Sequence, residues 1–225
     1  EHRLDMNKNI KNYIKDSLYN RRIRRWDKPS VNIFIMPMKL GIRGLSNAES
    51  KKLIKKAVDS WNTASKGRVI LNIVDVQKDA DVIVRWRQNV SLLCGVSDCD
   101  SVSNGRLRSM TMTFGIGSEF LNTPVDKKEL YSLILHEFGH ILGLGHSDDK
   151  EDVMNPFSSS DEPTERDMTV LKILYTFPVG MSDEDLFLRL ENYVLPSSRK
   201  KSHDMISFMD ILGKHNLLLG AGVPV

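Results

Sequence analysis

Residues 136–146 read His-Glu-Phe-Gly-His-Ile-Leu-Gly-Leu-Gly-His. His136 and His140 stand four residues apart, so on a helix both imidazoles project from one face and reach a single ion. Glu137 lies one step further round, outside that tight coordination but within reach of a water on the ion. Gly143 frees the backbone for a sharp turn where a Cβ would be penalised, and the turn lets His146 swing back as a third ligand. Three nitrogen ligands leave one tetrahedral position of a zinc ion to water, the arrangement of a catalytic site. The expected chemistry is hydrolysis. One zinc ion would supply Lewis acidity and bring the pKa of water from ~15.7 towards ~7. Glu137 would take the water's proton as general base and return it to the leaving amine. With six histidines in the chain, the His-Glu-x-x-His spacing arises by chance only about 0.007 times, so incidental surface histidines do not explain it.

The segment needs a helix beneath it, and the flanking residues supply one. Thr123 suits a cap, Pro124 the first helical position and Asp126 the positive helix end. Leu130, Leu133, Ile134, Phe138 and Ile141 follow at helical spacing, which predicts a helix over 124–142 ending at Gly143. Upstream, Ser46 and Glu49 form a capping box ahead of the stripe Leu53, Ile54, Ala57, Val58 and Trp61, predicting a helix over 47–64. Strands are expected over 31–38, 69–76, 80–86 and 106–114. Lys78 and Asp79 should turn between the second and third. Thr164, with Asp167 at the third helical position, begins a helix running to about Tyr175. Ser182 and Ser202 begin two shorter ones, ending before Pro196 and at Gly213. The order is strand, helix, strands, helix, loop, helix, then a helical tail.

Composition excludes several classes. A chain of 225 residues, 40% hydrophobic and 27% charged, is neither disordered nor a multi-pass membrane protein. No stretch approaches the roughly 20 apolar residues that span a bilayer. Residues 1–29 hold nine Lys/Arg against four Asp/Glu, a net +5, which leaves −2 for the rest of a +3 chain. The cluster Arg21, Arg22, Arg24 and Arg25 therefore belongs to a basic arm with a short amphipathic helix, and reads either as a solvated helix end or as a contact for a phosphate surface. A nucleic-acid footprint would need a basic face on the body too, so no nucleic acid is expected. His2, His203 and His215 read as surface residues. The chain starts at Glu1 with no visible signal peptide, which says little about compartment.

The segment His-Glu-Phe-Gly-His-Ile-Leu-Gly-Leu-Gly-His-Ser, with Met154-Asn155-Pro156 eight residues beyond His146, resembles the metzincin zinc endopeptidases and is especially similar to the matrixins. The resemblance implies an α+β metzincin fold, a twisted mixed sheet with long helices and a methionine turn. It implies His136, His140 and His146 as zinc ligands, Glu137 as general base and Gly143 as the turn glycine. It also implies Met154 as the hydrophobic floor under the zinc, and Pro156 and Phe157 as the wall of the pocket for the side chain after the cleaved bond. Ser158 stands where many matrixins carry Tyr. The resemblance spans about residues 31–177. The chain is therefore expected to divide into a basic N-terminal arm over 1–29, a catalytic domain over 30–177 and a helical extension over 178–225. By the same resemblance, a substrate strand pairs with the sheet edge, expected here between Asn89 and Val96. Protein or peptide substrates, a monomer, and secretion or attachment at the cell surface are expected. Calcium is compatible with the family, but nothing in these residues indicates it.

Cys94-Gly95-Val96-Ser97-Asp98 looks superficially like the cysteine switch of matrixin propeptides, but it lies inside the catalytic domain and Leu93 precedes the cysteine. A short Cys94–Cys99 disulfide is the preferred reading in an oxidising compartment; two free thiols, or a thiol facing the zinc, are the others. The rival to an enzyme is a silent or latent zinc-binding protein that uses the cleft or the basic arm to hold a partner.

Overall fold

The structure, a computed structural model, describes residues 10–38, 44–87, 93–116 and 125–194. The chain enters through a helix, α1, over residues 10–16, then a hairpin of β1 (Leu18–Tyr19) and β2 (Arg22–Ile23). Asn20 and Arg21 between them both have positive φ, 49° and 59°, as a two-residue type I′ turn requires. Tyr13, Ile14, Ile23 and Trp26 are buried. From Ile10 onward, therefore, the segment expected as a basic arm is built into the body. Two of its arginines bond within the body: Arg25 donates from Nε to the Leu174 carbonyl and from Nη2 to that of Phe177, and Arg22 donates to the Gly180 carbonyl. These guanidiniums satisfy carbonyls at and beyond a helix C-terminus.

Five strands form the main sheet: β3 (Ser30–Ile35), β4 (Ile70–Val74), β5 (Val82–Arg87), β6 (Cys94–Ser103) and β7 (Arg106–Gly115). Their spatial order is β4-β3-β5-β7-β6, with β6 antiparallel at one edge and the other pairings parallel. Parallel neighbours need a crossover, and α2 (Asn47–Ser65) supplies it between β3 and β4. A 3-10 turn (Gln77–Asp79) joins β4 to β5. The alternation of Val31, Ile33 and Ile35 puts one face of β3 in the core beside Val82, Val84, Met112 and Phe114, all buried.

Strand β6 is the sheet edge expected between Asn89 and Val96, displaced along the chain and longer than expected. Its Ser, Asp, Gly and Cys residues carry no apolar alternation, because an edge strand with one wet face does not need it. A signal did exist in Asn104-Gly105, whose φ angles of 50° and 79° make a type I′ connection to β7. The edge expected over 89–96 therefore begins at Cys94 and runs on to Ser103, while residues 89–92 lie outside the described residues.

The disulfide reading fails on the same strand: Cys94 and Cys99 are free thiols. Five residues of extended chain separate them by about 17 Å and turn them to opposite faces, far beyond the ~7 Å limit between bridged Cα atoms.

Helix α2 begins at Ser46 with both halves of its capping box formed to Glu49. Its buried Trp61 donates from Nε1 to the Leu135 carbonyl, 2.9 Å away, tying α2 to α3 (Lys127–Ile141). Asp126 caps α3, accepting from the Lys128 and Glu129 amides at 2.8 and 3.3 Å. The helix thus starts later than the Thr123-Pro124 pair suggested, and that pair lies outside the described residues. Helix α4 (Glu165–Thr176) starts at Thr164 with a capping box to Asp167.

The chain divides into two compact units, 1–181 and 182–225. In the second, α5 (Asp183–Val194) opens with the Ser182 hydroxyl accepting from the Asp185 amide. The helix expected over 202–213 lies outside the described residues. No described helix is long and apolar enough to cross a membrane.

Candidate metal centre

Helix α3 holds His136 and His140 one turn apart, with ring centroids separated by 4.9 Å. Its C-terminus brings in the third histidine by a defined motif. Gly143 has φ 95°, its amide donates to the His140 carbonyl, and the Leu144 amide reaches back to the Gly139 carbonyl. Those two bonds around a left-handed residue are the Schellman arrangement, which reverses the chain within three residues. A Cβ on Gly143 would sit 2.4 Å from the Arg24 carbonyl oxygen, so the position excludes a side chain as well as favouring positive φ. The reversal carries His146 back to 4.9 Å from His140 and 5.4 Å from His136, centroid to centroid.

One ligating atom from each of the three histidines lies within 4.8 Å of the others. The ring orientations are set by the backbone. His136 donates from Nδ1 to the Val153 carbonyl and His140 from Nδ1 to the Leu144 carbonyl, both at 2.8 Å. In that tautomer Nε2 of each ring is the free lone pair, as metal ligation needs. Burial holds the pKa of His136 below its ordinary value and that of His140 down to about 3. The pair therefore stays neutral, the state that binds a cation. A divalent ion preferring nitrogen and tetrahedral geometry, zinc above all, fits this donor set.

Glu137 lies on the side of α3 that faces β6. It is 6% exposed, and burial pushes its carboxyl up to about 7 against a hydrogen bond from Ser97 that pulls the other way. Its Oε2 has no hydrogen-bond partner among the described residues. Gly95 makes this packing feasible: a Cβ there would lie 2.4 Å from Oε1 of Glu137. Sequence reasoning missed both Gly95 and Ser97, because nothing in their spacing points to a helix some 40 positions later.

Met154 is fully buried and packs against Gly139 of α3, where a Cβ would fall 2.1 Å from its sulfur. Its loop is tied on both sides. The Ser147 amide donates to the Met154 carbonyl, and the Asn155 side chain donates to the Ser147 carbonyl. Asp167, fully buried on α4, accepts from the Val153 amide at 3.0 Å and from the Tyr13 hydroxyl at 2.7 Å. A continuous path therefore runs from Tyr13 through Asp167 and Val153 to the His136 ring. Arg166 braces the loop after His146, donating to Asp149 at 2.8 Å and to Asp148 at 3.1 Å. Pro156 and Phe157 sit just past Met154 but are exposed, Phe157 to 89%.

One comparison with known proteins agrees with this geometry, over part of the chain. The family model described as matrixin matches residues 114–176, from the end of β7 through α3, the glycine turn, the methionine loop and α4. No curated protein matches the chain. Residues 114–176 therefore mark a matrixin-like domain with the metzincin fold, and the match supports a zinc metalloprotease as its general class.

Proposed function

We propose that this chain is a zinc-dependent endopeptidase acting on protein or peptide substrates. The observation that carries the reading is the convergence of three histidines, two with Nδ1 already committed to backbone carbonyls, beside a buried carboxylate with one unpartnered oxygen. His136, His140 and His146 would hold one zinc through their remaining nitrogens, with Gly143 making the turn and Met154 forming the floor beneath. The bound ion supplies Lewis acidity for the scissile carbonyl and an acidified water.

Glu137 does the proton work in this reading. Its buried carboxyl, one helix position from the ligand His136, is placed to accept a proton from a water on the ion and release it to the leaving amine. Ser97 orients the carboxylate from β6. As the antiparallel edge strand, β6 offers unpaired backbone groups to an extended substrate running alongside it. Pro156 and Phe157 form the outer wall of the pocket beyond the cleaved bond in this reading, which favours an apolar residue there. We take the catalytic unit to include the N-terminal segment from Ile10, because its buried side chains belong to the same compact body. A monomeric, secreted or surface-attached enzyme accords with the matrixin-like segment.

The test is cleavage of casein by the full chain, parent against Glu137→Ala, with metal content measured for both. Cleavage by the parent alone, with about one zinc in each, supports the endopeptidase. Cleavage by both removes Glu137 from its role. Zinc in both with cleavage by neither favours the silent zinc-binding protein.

A further inference from the structure

The third histidine sits on a turn, and the turn's polar groups are satisfied by a part of the chain more than a hundred residues away. The His146 amide donates to Oδ2 of Asp16. The Gly145 amide donates to the Ser17 hydroxyl at 2.8 Å, and that hydroxyl donates to the Tyr13 carbonyl at 2.9 Å. The Ile141 carbonyl at the end of α3, which has no helical amide to accept, takes the indole N–H of Trp26 at 2.7 Å. The fit is steric as well. A Cβ on Gly145 would fall 2.4 Å from the Asp16 carbonyl, just as one on Gly143 would strike the Arg24 carbonyl. Main chain thus lies directly on main chain, and the two glycines of the turn are the sites of contact.

We propose that Asp16 and Ser17 are positioning residues for His146, so that the segment from Tyr13 to Trp26 clamps the third ligand and sets the affinity of the metal centre. This segment lies wholly outside the residues matched by the matrixin family model. The proposal rests on the zinc-binding reading above. Its physical basis is the exposure of His146 itself: α3 and two backbone carbonyls orient the other two rings, whereas the third depends on where its backbone is held. An unheld ligand must be ordered on binding, and that ordering weakens the complex. Groups that orient ligands from behind typically change metal affinity by about 10–100-fold when removed. Asp16 provides a charge-assisted acceptor, the stronger kind of hydrogen bond. Ser17 is buried and bonded on both sides, so it holds Gly145 in a single geometry.

The experiment uses the full chain loaded with zinc and titrated with a chromophoric chelator. Asp16 is exposed, so Asp16→Ala leaves the core intact. It should lose zinc about 10–100-fold more readily than the parent. Asp16→Asn keeps an oxygen acceptor and should stay within about threefold of the parent. Cobalt-loaded samples give a second readout. The parent and the Asn variant should share one visible absorption envelope, and the Ala variant should depart from it, because ligand geometry sets that spectrum. Unchanged zinc affinity and cobalt spectrum in Asp16→Ala overturn the clamp, and so does equal weakening in the Ala and Asn variants. A parent that takes up no zinc overturns the zinc reading and the clamp together. A parent that binds zinc beside an unaffected Asp16→Ala overturns the clamp alone.

Discussion

Replacing Gly95 with alanine adds a single methyl group to β6, and the structure shows where it would go. The new Cβ would lie 2.4 Å from Oε1, 2.5 Å from Cγ and 2.6 Å from Cδ of Glu137. Ordinary contact begins near 3.5 Å, so about 1 Å of separation is missing. The strand cannot supply it, because Gly95 is registered opposite the buried Phe114 of β7. The carboxylate must therefore move. A displacement of about 1 Å at a reacting group lowers rate roughly 100-fold. The backbone itself tolerates alanine, since Gly95 has no positive φ and glycine within a strand is already unfavourable. The expected outcome is kcat/KM on a fluorogenic peptide reduced about 100-fold, with Tm and zinc content as in the parent. Val96→Ala, on the exposed face of the same strand, should be close to neutral. Gly95→Ala activity within about threefold of the parent would refute the placement of Glu137 against β6.

Three further outcomes follow from the same geometry. In the metal-free chain, Glu137 has its pKa raised to about 7 from 4.5, so the folded form holds a proton that the unfolded form has lost between those values. Its contribution to stability is fully present below pH 4.5 and falls as pH rises to about 7. Glu137→Gln should therefore gain on the parent by up to about 3 kcal/mol between those limits, read from urea midpoints with chelator present. A flat difference would contradict this; the comparison cancels His140, whose depressed pKa acts in the opposite direction. Gly143→Ala forces a Cβ into a backbone carbonyl at φ 95°, and should cost about 1–3 kcal/mol and weaken zinc binding, measured by denaturation and chelator competition. Trp61→Ala removes a fully buried ring and the indole bond to Leu135, and should cost about 3–5 kcal/mol in denaturant unfolding.

Local period and local chemistry account for what the amino-acid sequence determined by itself. The four-residue spacing of His136 and His140, the glycine that ends α3, and the capping boxes at Ser46 and Thr164 are each decided within a few residues. The pairing of Nδ1 with Val153, the cover that Gly95 and Ser97 place over Glu137, and the bonds from Asp16 and Ser17 to the turn were decided only by the tertiary structure. So was the fate of Arg22 and Arg25 in the expected basic arm, which donate to the Gly180, Leu174 and Phe177 carbonyls. The physical reason is that periodicity reports which way a side chain faces on its own element and not which element will face it. Tyr13 and Asp167 meet across 154 residues of sequence, and only the packing of the intervening sheet and helices brings them within hydrogen-bond distance.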